Sequence, residues 1–226
     1  MKNDKHKPAK RTKKPWPTKD AMEQVYELKL WGGDETEFYS GSGSHDPYLI
    51  NPYVKVVSSF LDSFDEPPVV CDLGCGDFNV GRELVKHSDR YIGVDIVEPL
   101  INFNKASFRF EKLEFQCLDI AKDALPSADI VILRQVLQHL SNSEVRSILE
   151  KLYDYKYLIL TEHIPSGDFI PNIDIISGQG TRLKKQSGLD LTASPFNFKA
   201  KEKEILLSLT SADHKGLIET SVFRIQ

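Results

Sequence analysis

Cysteine is scarce in this sequence, and nothing pairs it. Cys71, Cys75 and Cys117 are the only three, and they form no Cys-x-x-Cys ligand pairs. That excludes a zinc quartet and a disulfide framework, and no metal is expected. No apolar run approaches the roughly 18 residues of a membrane span, and no apolar signal core opens the chain. A reducing cytoplasm is the expected compartment. No Gly-Lys-Ser/Thr follows a glycine-rich loop, so a P-loop is excluded.

Acidic charge is nearly absent from the first 19 residues, which carry eight Lys/Arg against Asp4 alone. The remaining chain is acidic, and the 226 residues together sum to −4. With three prolines and little apolar surface, residues 1–19 read as a disordered basic arm. Such an arm could touch nucleic acid or anionic lipid, or could serve only to solubilise. The acidic body argues against a broad nucleic-acid platform. The rest, 40% hydrophobic, suffices for one well-buried domain. The sequence assigns no oligomeric state.

Residues 20–66 read as a helical lid region. Asp20 and Glu23 have capping-box spacing for a helix reaching Trp31. "YSGSGSHDPYLIN" follows as a loop, and Asn51 with Pro52 reads as the start of a second helix. In that helix Tyr53, Val56, Val57, Phe60, Leu61 and Phe64 form one apolar stripe. From residue 67 to the end, short apolar strands alternate with helices. The strands are expected at Val69–Leu73, Tyr91–Asp95, Glu114–Leu118, Ile130–Leu133 and Tyr157–Leu160. Ser141 and Glu144 cap a helix between the last two. This predicts a parallel sheet covered on both faces. Residues 163–200 then break the pattern, and Glu204–Leu209 with Leu217–Ile225 can close the chain as an antiparallel hairpin.

"CDLGCGDFNVG", from Cys71 to Gly81, would sit at the carboxyl end of the first strand, where open α/β sheets bind ligands. The second and third glycines, Gly76 and Gly81, stand five apart, which does not suit the Gly-x-Gly-x-x-Gly of a nicotinamide site. Asp72, just ahead of the glycines, sits badly beside a pyrophosphate and well beside a cationic or ammonium group. Asp95 lies about twenty residues past the loop, the spacing at which a carboxylate takes ribose hydroxyls.

These stretches resemble the class I S-adenosylmethionine-dependent methyltransferases. "VVCDLGCGDFNVG" is similar to their first motif and "YIGVDIVEPL" to their second. "FQCLDIA" and "ADIVILRQVLQHLS" follow in the family's order. The resemblance covers roughly residues 52 to 161, and the closing hairpin suits the family's reversed last strand. It implies an α/β, Rossmann-like fold with a mostly parallel seven-stranded sheet. It implies S-adenosyl-L-methionine as cofactor, held by Asp72, Gly74, Cys75 and Gly76, by Asp95 and Ile96 on the ribose, and by Asp119 and Ile120 on the adenine. Arg134 and Gln135 would lie against the methionine part. Tyr39 and Ser42 belong to a candidate lid over the cofactor.

The family shares cofactor residues but not catalytic ones. The Asn/Asp-Pro-Pro-Tyr/Phe signature is absent after the fourth strand, which reads Leu133-Arg134-Gln135-Val136. Glu162 and His163 are candidates for the acceptor's base, or a solvated strand-end pair. His139 is the next candidate, or a histidine bonded to backbone. The 163–200 segment reads as a substrate cap, with Asp174 and Arg182 as polar contacts. The expected activity is methyl transfer to a small molecule. Its rivals are a protein or RNA methyltransferase docked by the arm, and a non-catalytic cofactor-binding partner.

Overall fold

The structure is a computed structural model, and it describes residues 15–33, 38–210 and 216–226. Most of the basic arm and the tip of the closing hairpin lie outside the described residues. Seven strands form one sheet. They are β1 (Val69–Leu73), β2 (Arg90–Asp95), β3 (Leu113–Cys117), β4 (Ile130–Arg134), β5 (Tyr157–Pro165), β6 (Glu202–Thr210) and β7 (Gly216–Arg224). Their order across the sheet is β3-β2-β1-β4-β5-β7-β6. The first five are parallel, and β7 inserts antiparallel between β5 and β6. The fold is the Rossmann-like one the sequence implied.

The central strands are Val-, Ile- and Leu-rich because both faces are covered. One face packs under α5 (Asn142–Leu152) and the segment after β5, where Leu73, Leu133, Val145, Leu149 and Leu191 share a core. The other packs under α2 (Pro47–Leu61), where Tyr53, Val57 and Leu61 meet Val70, Ile132 and Ile159. α2 is therefore a layer of the core, not part of a lid. A third, smaller cluster seats α1 (Thr18–Glu27) through Met22 and Val25 on Val97 and Leu100, at the start of α4 (Glu98–Ser107).

Three boundaries differ from the sequence expectation. α2 is capped by Asp46, whose carboxylate accepts from Tyr48 N at 2.9 Å, with Pro47 in the first turn. The earlier of two Asx-Pro pairs wins because it adds Leu49 and Ile50 to the buried face, and Pro52 is left inside the helix. α1 starts at Thr18 after Pro17 with no side-chain cap; Glu23 pairs instead with Lys19 at 3.7 Å. β5 runs on through Glu162 and His163 because β7 pairs with it as far as Pro165. The capping box of Ser141 and Glu144 is formed. The helix after the glycine loop, α3 (Gly81–Leu84), lasts one turn before tightening to a 3-10 turn. No helix among the described residues is long and apolar enough to cross a membrane.

Candidate cofactor-binding site

The strand register places the first functional groups. Asp72 of β1 lies level with Gly93 of β2 and Ile132 of β4. Two residues further along each strand come Asp95, Gly74 and Arg134, on the same face because side chains alternate with period two. With strands about 4.8 Å apart, Asp95 and Arg134 stand roughly 10 Å apart across a gap where Gly74 has no side chain. The parallel carboxyl edge thus holds an acid, a gap and a base.

Hydrogen bonds fix the loop over that gap. Gly74 N and Cys75 N both donate to Val94 O, at 2.7 and 2.9 Å. Gly76 N donates to Asp95 Oδ2 at 3.2 Å, and Asn104 Nδ2 of α4 donates to Gly76 O at 2.7 Å. Gly74 and Gly76 have φ of 83° and 56°, conformations that other residues rarely adopt. A Cβ on Gly74 would collide with Val136, and one on Gly76 with Ser40. Asp95 also accepts from Val97 N at 3.0 Å, and burial raises its carboxyl above the usual range. Two such bonds leave acceptor capacity on a carboxylate. Asp72 accepts from Tyr91 OH at 2.9 Å, and burial pushes it up to about 6.

A strap from Phe38 to Asp46 covers the loop. Asp77 is its anchor, accepting from Ser40 N at 2.7 Å and contacting His45 Nε2 at 2.6 Å. Ser40 Oγ accepts in turn from Asp77 N at 2.8 Å and meets Tyr26 OH at 3.0 Å. Asn79 Nδ2 donates to Ser44 O at 2.7 Å. Strap, α1 and strand ends enclose a cavity of about 310 Å³.

Among the residues singled out from sequence, Asp72, Gly74, Cys75 and Gly76 line this cavity on the loop side. Asp95, Ile96 and Ile120 line it from β2 and β3, and Ser42, Arg134, Gln135 and His139 from the strap and β4. Two cofactor candidates do not. Asp119 closes a local turn, with Lys122 Nζ at 2.6 Å and Ala121 N at 3.1 Å. Tyr39 stacks on His45, ring centroids 4.3 Å apart.

The acceptor-side expectations need more correction. Glu162 does not line the cavity. It is buried where β5 continues, accepting from Leu137 N at 3.0 Å and Gln138 N at 3.1 Å, and desolvation pushes it to about 8. His163 sits opposite Ile218 in β7, its N–H donating to Gln138 Oε1 at 3.0 Å. Arg182, 1% exposed, donates to Leu137 O at 3.0 Å and Leu140 O at 2.8 Å, and to Asn142 Oδ1 at 2.6 Å. Asp174 accepts from Asn142 N at 2.8 Å, at the start of α5. All four brace the segment after β5 and the 3-10 turn Leu137–His139.

His139 does face the cavity, but its ring is engaged. Gln138 gives its carbonyl to His163 N–H, so its amide nitrogen faces His139 Nε2 at 3.3 Å, and Nδ1–H donates to Gly180 O at 3.3 Å. Burial lowers it to about 4, so the ring is neutral with its lone pair taken. Sequence reasoning missed Tyr26, Trp31, Tyr53 and Asp77, which also line the cavity. Asp77 adjoins the glycines and was within reach of the motif. The aromatics carried no signal beyond a core stripe.

Residues 71–155 match a family model described as a methyltransferase domain. Over 101 residues the chain is 33% identical to human acetylserotonin O-methyltransferase, an overlap of 42% of this chain and 29% of that protein. The chain thus matches less than a third of that curated relative's length. Human N-acetylserotonin methyltransferase in complex with SAM superposes with a TM-score of 0.60 at 17% identity, covering 93% of this chain and 61% of that one. The N-methyltransferase NodS from Bradyrhizobium japonicum, with S-adenosyl-L-homocysteine, gives 0.63 at 15% identity, covering 91% and 98%. Magnesium protoporphyrin IX methyltransferase from Synechocystis, with bound SAM, gives 0.55 at 17% identity, covering 94% and 100%. These likenesses show that the methyltransferase fold extends over nearly the whole chain.

Proposed function

We propose that this chain is an S-adenosylmethionine-dependent methyltransferase acting on a small-molecule acceptor. The observation that carries the reading is the acid, gap and glycine cradle at one strand edge, enclosed in a cavity of about 310 Å³. The residues fit the cofactor. Asp95 retains acceptor capacity for a ribose diol, and Gly74 and Gly76 leave space where a Cβ would stand. Ile96 and Ile120 offer apolar faces to a base, and Asp72 lowers the electrostatic penalty of a buried positive charge. When bound, the cofactor supplies an electrophilic methyl group on sulfonium.

The protein's own contribution is alignment and exclusion of water, which can lower such a barrier by several kcal/mol. The strap and α1 provide the exclusion. No lining group among the described residues stands out as a free neutral base, because the His139 lone pair is occupied. The reading therefore places acceptor deprotonation in solvent or on the acceptor itself. The roofed cavity supports a small acceptor, as do relatives named for acetylserotonin and magnesium protoporphyrin IX.

The test is incubation with methyl-labelled S-adenosylmethionine and fractionated metabolite extracts, read by mass spectrometry. Label in low-mass products is expected. Label confined to RNA or protein would overturn the acceptor class, and no turnover with any fraction would overturn the activity.

A further inference from the structure

Leu100, Ile101 and Asn104 are the buried residues of α4, so an amide stands where the inward stripe of a helix calls for an apolar side chain. Asn104 is fully buried. Its Nδ2 donates to Gly76 O at 2.7 Å, and its Oδ1 has no partner. Gly76 O can only accept, which fixes the half of the amide that faces it. Cys75 Sγ, a weak donor, stands 3.8 Å from the same oxygen. A leucine of similar volume would bring no side-chain oxygen to be stranded, so packing alone does not select asparagine here.

The group it holds is the peptide between Gly76 and Asp77. The other edge of that peptide, Asp77 N, donates to Ser40 Oγ in the strap at 2.8 Å. Ser40 gives its own N–H to Asp77 Oδ2 at 2.7 Å and meets Tyr26 OH of α1 at 3.0 Å. Asn104 and Ser40 thus grip one peptide plane from its two edges, carbonyl and amide. The plane needs gripping, because the glycine on its N-terminal side has no Cβ to oppose rotation. Turned over, the peptide would take away the N–H that Ser40 Oγ accepts. We propose that Asn104 is a positioning residue for cofactor binding: it holds the Gly76–Asp77 peptide with its N–H toward the strap, and so keeps the roof closed over the bound cofactor. Asn104 is not among the residues that line the cavity, and it acts through this peptide. The proposal rests on the reading that S-adenosylmethionine occupies the cavity.

The experiment removes the two grips singly and together, in Asn104→Leu, Ser40→Ala and the double variant. Calorimetry reads S-adenosylhomocysteine affinity, displacement kinetics its dissociation rate, and denaturant unfolding the stability. Asn104→Leu is expected to weaken S-adenosylhomocysteine by about 3- to 10-fold, the worth of one neutral hydrogen bond, through faster dissociation. Its stability should stay near wild type, because one stranded acceptor, Asn104 Oδ1, is exchanged for another, Gly76 O. Amide hydrogen exchange at Asp77 should quicken in Asn104→Leu with no ligand present. Because both side chains act through one peptide, the double variant should bind within about twofold of the weaker single variant. Losses that multiply in the double variant, or unaltered affinity in Asn104→Leu, would overturn the positioning role. If Asn104→Leu does not fold, Asn104→Ala carries the same binding expectations in its place. Failure of wild type to bind S-adenosylhomocysteine at all would instead overturn the functional reading beneath it.

Discussion

Gly76 is under two constraints at once. Its φ of 56° costs a side chain about 1–2 kcal/mol, and a Cβ there would meet Ser40 Oγ in the strap. Gly76→Ala should therefore weaken S-adenosylhomocysteine binding by about tenfold or more while lowering stability by roughly 1–2 kcal/mol. Titration and denaturant unfolding read the two effects separately. Glu162 gives a pH signature unconnected with the cavity. Its carboxyl is raised from 4.5 to about 8 by burial, so between those values the folded chain binds more protons than the unfolded one. Stability from this group is present below pH 4.5 and is lost as pH rises toward 8. Glu162→Gln should remove that decline, so its melting temperature relative to wild type climbs from pH 5 to pH 8. A constant difference over that range would contradict the assignment. Neither residue's environment was legible in sequence to the same degree. Gly76 belongs to a motif that the sequence places at the carboxyl end of the first strand. Glu162 read as a strand-end acid because nothing local shows that β7 will extend β5 beyond it.

Strand positions were legible because buried parallel strands write themselves as short Val/Ile/Leu runs between caps. Helix starts were less so, since capping competes among neighbouring candidates, as at Asp46 against Asn51. The segment after β5 was read as a substrate cap from its length. The structure instead ties it to the core through single polar side chains. Arg182 holds two carbonyls of the Leu137–Leu140 stretch and the Asn142 side chain, Asp174 caps α5, and Ser177 Oγ accepts from Ser141 N at 2.7 Å. Periodicity cannot reveal such long-range bonds. Arg182→Met leaves buried carbonyls unpaired and should cost about 3 kcal/mol or more. Asp174→Ala removes only a helix-end acceptor and should cost about 0.5–2 kcal/mol. Chemical denaturation measures both, and equal losses would show that the segment does not hang on Arg182.

Over the whole molecule, the sheet supplies the spacing and the N-terminal elements supply the roof. The acids of β1 and β2 and the base of β4 are set by strand register, which is why the motifs located them from sequence. The roof, made by α1 and the strap, is expected from sequence as a helical lid region with a Gly- and Ser-rich loop, but its fastening is not, because that depends on Asp77, Tyr26 and Arg134 from three separate elements. Among the described residues, every one that lines the cavity lies at Thr18 or beyond. Removal of residues 1–14 should accordingly leave cofactor affinity within about twofold, since no charged hydrogen bond of the site is lost. The loss of affinity on truncation would mean that the arm takes part in the site.

The central claim is that the β1–β2 edge holds an adenosine-linked sulfur cofactor, with Asp95 on its ribose. Titration of S-adenosylhomocysteine into wild type and Asp95→Ala by calorimetry tests it most directly. The account predicts one site per chain in wild type and a loss of at least about tenfold in the variant, given roughly 1.5–3 kcal/mol for each hydrogen bond to a charged acceptor. NAD at the same concentration should give no heat of binding. Undiminished affinity in Asp95→Ala, or saturable binding of NAD in place of S-adenosylhomocysteine, would contradict it.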